Sequence, residues 1–158
     1  MRVAILTADT AVYKEEEEDK SGQVIKEMVE EAGCEVVFQR AVPTDRKVIS
    51  TVMQRMVDNK LTDLILTTGG SGCAPTDCTP EATTDIIEKP VTGIPEAMRA
   101  HMAPMTKRAM FNRSTAGIRG DVLIVNLPGK PGAVREGLKF LLPEITHVVE
   151  TIQGGAQE

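Results

Sequence analysis

Four short, unbroken apolar runs, at residues 3–6, 36–38, 64–66 and 122–125, alternate with stretches whose apolar residues fall at helical spacing. A run that is apolar at every position suits a strand buried on both faces. Between the first two runs the stripe is Val24, Ile25, Met28, Val29 and Ala32, and Gly33 stands where a helix commonly stops. The next stripe is Val48, Ile49, Val52, Met53, Met56 and Val57. Residues 80–88 and 95–107 also read as helices. After Pro131 the apolar residues Leu138, Leu141, Leu142, Ile145, Val149 and Ile152 continue one more helical region, which Pro143 is expected to split. Alternating β and α with fully apolar strands predicts an α/β fold, a mostly parallel sheet covered on both faces. No repeat or linker interrupts the pattern, so residues 1–158 read as a single domain. Ligands of such sheets bind beyond the carboxyl ends of the strands. That rule gathers the loops at 7–20, 41–46, 67–79 and 126–132 on one edge.

The third of these loops carries the strongest chemical signal. Thr67-Thr68-Gly69-Gly70-Ser71-Gly72 follows a buried strand, Asp77 comes next, and Thr79-Pro80 reads as the N-cap and first residue of a helix. Glycines let backbone N–H groups face a ligand, and the carboxylate can hold a hard cation. The unit suits a bound phosphate with a metal ion at a helix N-terminus. It is not a P-loop, because no Lys-Ser/Thr pair closes it, and Pro75 stands where a dinucleotide loop needs its third glycine.

Composition removes other classes. The formal net charge of −5 disfavours nucleic acid as a partner, and one Tyr, three Phe and no Trp leave little for base stacking. No apolar run approaches membrane-spanning length. Cys34, Cys73 and Cys78 are odd in number and form no Cys-x-x-Cys pair, which argues against a disulfide framework and a zinc site. The cytoplasm is the expected compartment.

Three further segments offer chemistry or simple structure. Asn126-Leu127-Pro128-Gly129-Lys130-Pro131-Gly132 is either a second anion-facing loop or a rigid turn with a solvated lysine. In Asp19-Lys20-Ser21-Gly22, Ser21 caps a helix, with or without an anion at the same N–H groups. The acids Glu15 to Asp19 before it read as a solvated loop. Asn112-Arg113-Ser114-Thr115-Ala116-Gly117-Ile118-Arg119 brings two arginines suited to phosphate or carboxylate. His101 and His147 read as packing or surface residues, and the methionines as core filler.

Taken in order, these segments resemble one family. Thr68-Gly69-Gly70-Ser71-Gly72 with Asp77-Cys78-Thr79-Pro80-Glu81-Ala82 is similar to its T-G-G-T-G … R-D-x-T-P-E-A signature. Asn112-Arg113 with Ala116-Gly117-Ile118-Arg119 resembles S-R-x-x-A-G-x-R, residues 126–131 match N-L-P-G-x-P, and residues 19–22 match D-x-S-G. The family is that of molybdopterin adenylyltransferases and molybdopterin-binding proteins, the Mog/MoaB group, with gephyrin-like G domains among its members.

The resemblance implies a three-layer α/β/α sandwich assembled as a homotrimer or hexamer. It implies transfer of AMP from Mg-ATP to the terminal phosphate of molybdopterin, with release of pyrophosphate and a downstream molybdate-insertion protein. By the same resemblance Asp77 holds Mg²⁺, and Gly69, Gly70, Ser71 and Gly72 cradle phosphate ahead of Thr79 and Glu81. Pro128 and Gly129 shape the nucleotide side, while Asp19, Ser21, Gly22, Asn112 and Arg113 line the pterin side. The chain departs from the pattern at Ser71 (usually Thr), Thr76 (usually Arg) and Asn112 (usually Ser). Enzymes of the family carry V-P-D-[DE] where this chain has Val42-Pro43-Thr44-Asp45. Asp45 takes the catalytic acid's place if that loop shifts by one residue. The alternatives are a molybdopterin-binding protein with little catalysis, or an oligomeric scaffold.

Overall fold

The structure, a computed structural model, describes residues 1–154. In chain order it contains β1 (Arg2–Ala8), α1 (Thr10–Tyr13), α2 (Lys20–Glu31), β2 (Glu35–Val42), α3 (Arg46–Asp58) and β3 (Leu64–Thr68). Then come α4 (Thr79–Thr84), β4 (Lys89–Pro90), α5 (Gly93–Met102), a 3₁₀ turn (Lys107–Phe111), β5 (Ala116–Arg119), β6 (Val122–Leu127) and α6 (Pro131–Ile152). The six strands form one sheet in the order β2-β1-β3-β6-β5-β4. The first four in that order are parallel, and β5 and β4 complete the far edge in antiparallel pairing.

Side chains along each central strand alternate between two cores, as the pleat requires. Val3, Ile5, Leu64, Leu66, Leu123 and Val125 pack with residues of α2, α5 and α6, including Ile25, Met98 and Leu138. Ala4, Leu6, Ile65 and Ile124 pack on the opposite face with Ile49 and Met53 of α3 and Ala82 of α4. Helices therefore cover both faces, and the fold is the three-layer α/β/α arrangement.

Four expectations need correction. The helix expected at 95–107 ends at Met102, and the one expected at 80–88 ends at Thr84, after which the chain turns into β4. Pro90 sits in that two-residue edge strand, where a missing N–H costs nothing. Residues 116–119, taken as part of a binding segment, are a strand of a hairpin with β6. Gly120, at φ +56°, makes the tight turn between them. Finally, Pro143 does not split α6. Pro143 and Lys139, four residues earlier, both face solvent, so water can serve the carbonyl that loses its donor. Leu141, Leu142, Ile145 and Val149 keep both halves of the helix on the core.

Candidate functional site

From β1 the chain crosses to β2 at one side of the sheet, whereas β3 leads toward β6 on the other side. The crevice beyond the carboxyl ends of β1 and β3 is thus a topological switch point. The glycine loop folds into it. Gly69 and Gly70 both take left-handed backbone (φ +86° and +68°), and a Cβ on Gly69 would strike the Ala8 carbonyl at the end of β1. Thr79 is the first residue of α4 rather than its cap, so the expected start is one residue late. Its hydroxyl donates instead to the Gly69 carbonyl (2.9 Å) and its N–H to the Gly70 carbonyl (3.0 Å). The first turn of α4 is thereby tied to the loop it follows.

Asp77 closes a turn on itself. Its Oδ2 accepts the Ala74 N–H (2.9 Å), and its own N–H donates to the Ala74 carbonyl (3.0 Å). Arg113 grips the same turn from outside. Its Nε donates to the Gly72 carbonyl (2.7 Å) and Nη2 to the Asp77 carbonyl (3.2 Å), while both Nη atoms fork onto Glu81. That ion pair holds the Glu81 carboxyl below its ordinary range and raises the Arg113 guanidinium. Cys78 lies between these acids. Burial, then the carboxylates of Glu81, Asp45 and Asp77, pushes its thiol upward. Asp45 is exposed, and its Oδ1 is engaged as the cap of α3, accepting the Val48 N–H at 2.9 Å. Thr44 meets Thr10 hydroxyl to hydroxyl at 3.0 Å, joining the loops after β1 and β2.

Two hollows open on either side of Gly129. The smaller, of about 170 Å³, is lined by Asp9, Asp19, Ser21, Gly69 and Gly129 among others. The larger, of about 370 Å³, is lined by Ser71, Gly72, Asn112, Pro128 and Gly129, with Met98, Met102 and Phe111 supplying apolar surface. Arg99, Arg108 and Lys130 add positive charge to it. The ridge between the hollows is strapped down. Ser21 Oγ donates to the Gly129 carbonyl (2.7 Å), Thr68 Oγ1 to the Pro128 carbonyl (2.6 Å), and Ser71 Oγ reaches the Leu127 carbonyl at 3.4 Å. Asp19, not the expected Ser21, caps α2 through the Gly22 N–H (2.8 Å) and also accepts the Thr7 hydroxyl (2.7 Å). The residues expected together on one pterin side are thus divided. Asp19 and Ser21 line the smaller hollow and Asn112 the larger, while Gly22 is buried at the start of α2 and Arg113 lines neither.

A more voluminous hollow, about 540 Å³, lies at the other end of the strands among Arg2, Asp63, Asp58 and Arg119. Of its charged groups, Arg2 pairs with Asp63 and Arg119 with Asp58, and no glycine-loop residue lines it.

Among the described residues no three His, Cys, Asp or Glu side chains converge on a metal position. A Mg²⁺ carried by a nucleotide needs one or two carboxylates and takes its remaining ligands from phosphates and water. Asp77, half-buried and bonded through one carboxylate oxygen to its own loop, fits that demand.

Asn126, expected in the loop after the last strand, lies within β6 and frames the site. Asn126, 1% exposed, donates through Nδ2 to Thr67 Oγ1 and Thr83 Oγ1 (both 2.9 Å) and accepts the Thr115 N–H at Oδ1 (3.1 Å). The signal was an amide inside an otherwise apolar strand.

Residues 4–147 match the family described as a probable molybdopterin binding domain. The chain is 36% identical over 156 residues to the molybdopterin adenylyltransferase of Helicobacter pylori, spanning 98% of this chain and 89% of that one. Its structure superposes on the molybdopterin biosynthesis enzyme MoaB of Thermus thermophilus with a TM-score of 0.91 at 38% identity, covering 97% and 96% of the two chains. The molybdopterin biosynthesis Mog protein of Mycobacterium ulcerans gives 0.89 at 33% identity, with 97% of both chains covered.

Proposed function

The chain belongs to the molybdopterin-binding domain family, and on that premise we propose that it acts in molybdenum cofactor biosynthesis as a molybdopterin adenylyltransferase. Its substrates are molybdopterin and ATP. A terminal phosphate oxygen of molybdopterin attacks the α-phosphorus of ATP, the bond to the β-phosphate oxygen breaks, and pyrophosphate leaves. The observation that carries this reading is the pair of hollows meeting at Gly129, with the glycine loop and Asp77 beside them. Two phosphate-bearing substrates need adjoining pockets, and most of the rate comes from holding them in line. The apolar and cationic lining of the larger hollow suits a flat ring system with an attached anion.

Gly69 to Gly72 present backbone to the phosphates, and the N-terminal turn of α4 favours negative charge. Asp77 would hold Mg²⁺, which when bound neutralises charge on the nucleotide and on departing pyrophosphate. Asp45, in the loop after β2, would be the second carboxylate of this reading. Met105, Met110 and Phe111 are each more than half exposed, which supports burial of that surface in a homotrimer or hexamer. A molybdate-insertion protein is then the consumer of the adenylylated product.

Incubation with molybdopterin, ATP and Mg²⁺ tests the reading. Pyrophosphate release is expected, with a loss of orders of magnitude in Asp77→Asn. Tight pterin binding without pyrophosphate would reject it in favour of a binding protein. That second reading is favoured by Thr44, whose hydroxyl faces Thr10 where the resemblance calls for an acid. Turnover appearing only in Thr44→Asp would establish it.

A further inference from the structure

The geometry points to Arg113 as a positioning residue that fixes Asp77, rather than as a ligand of either substrate; this rests on the adenylyl-transfer reading above. An arginine beside a glycine loop ordinarily suggests phosphate binding. Here the donors are already committed. Nε is held by the Gly72 carbonyl, Nη2 by the Asp77 carbonyl, and both Nη groups by the fork onto Glu81. The backbone N–H of Arg113 donates to the Ser71 carbonyl at 2.8 Å, so main chain and side chain grip the same loop.

The two loop carbonyls held by the guanidinium are those of Gly72 and Asp77, the first and last residues of one turn. Between them, no residue from 73 to 76 is buried. The turn's internal bonds are those joining Ala74 and Asp77. One planar group therefore sets the spacing of a segment that has little packing of its own. Glu81, one turn into α4, anchors that group to the helix that also carries Thr79. The chain has Thr76 where relatives of this motif were expected to carry an arginine, so no second guanidinium is available inside the turn. Lysine at 113 would keep the charge but could not span Gly72, Asp77 and Glu81 together.

Transfer kinetics and amide exchange test the assignment. In Arg113→Ala, kcat should fall about 100-fold, the size of effect that a misplacement of about 1 Å carries. KM for molybdopterin and for ATP should move less than about threefold, because no binding contact is removed. Arg113→Lys should fall in the same direction, and far-UV circular dichroism should show both variants folded. The double variant with Asp77→Asn should be no slower than Asp77→Asn alone, since Arg113 acts through that carboxylate. On the free protein, exchange of the Ala74 and Asp77 amides should quicken at least about tenfold in Arg113→Ala. Losses that multiply in the double variant, a rise in KM with kcat kept, or unchanged exchange would each overturn the assignment. If wild-type protein releases no pyrophosphate, the transferase reading fails, while the exchange measurement still decides what Arg113 does.

Discussion

Replacing Asn126 by alanine tests whether one buried amide holds the frame of the site. The side chain bridges three elements: Thr67 in β3 before the glycine loop, Thr83 in α4 after it, and Thr115 just before β5. Thr67 and Thr83 are fully buried, so the hydroxyls it leaves cannot turn to solvent. Thr83 keeps only its own donation to the Thr79 carbonyl (2.9 Å). Three hydrogen bonds at about 1 kcal/mol each give a loss of about 3 kcal/mol. For a chain of this length that lowers the melting temperature by about 6–12 °C. Urea denaturation should show the midpoint falling with the slope unchanged. A cycle with Thr83→Val should return a coupling of about 1 kcal/mol, since the two share a bond. A loss under about 1 kcal/mol, the worth of one ordinary hydrogen bond, would refute the claim that the three bonds act together.

The remaining predictions concern the loops. Gly69→Ala should cost more than about 1 kcal/mol because of its left-handed backbone and the Ala8 carbonyl. Gly132→Ala, with no atom near the new methyl group, should stay within about 0.5 kcal/mol; equal effects in denaturation would void the argument. Asp45→Asn should leave stability nearly unchanged, since asparagine caps a helix as well as aspartate, yet turnover should drop. Full activity would remove Asp45 from the chemistry. Arg113 depresses the Glu81 carboxyl below its ordinary 4.5, so the pair stabilises the fold above that pH and is lost as pH falls through the lower folded value. With both side chains about one-third exposed (38% and 33%), the worth is only about 0.2–1 kcal/mol. Glu81→Gln should therefore be less stable than wild type at neutral pH and no different well below pH 4.5.

β2, whose run at 36–38 suited burial on both faces, is an edge strand with Val37 exposed; the central strands β1, β3 and β6 were legible because each carries an unbroken apolar run, and α2 and α3 because their stripes run for three turns. The edge was not. β5 holds four residues, two of them Gly117 and Arg119, too few to show a period. Pro143 misled because the rule against helical proline concerns the lost donor, and the sequence does not say which face of α6 meets water. At the site, glycine spacing and the lone Asp77 were visible in the chain. Whether Asp45 capped a helix or faced a ligand was not, since one carboxylate suits both. Arg113 likewise offered no clue that its partners were carbonyls of the loop itself, because those contacts join residues more than thirty positions apart.

Gly129 lines both hollows, so its backbone is part of the partition between them. A guest in one chamber that tilts that peptide reshapes the other, and the influence must run equally in reverse. Occupancy of the two chambers would then be thermodynamically linked without any moving lid, through a ridge that the hydroxyls of Ser21 and Thr68 hold in place.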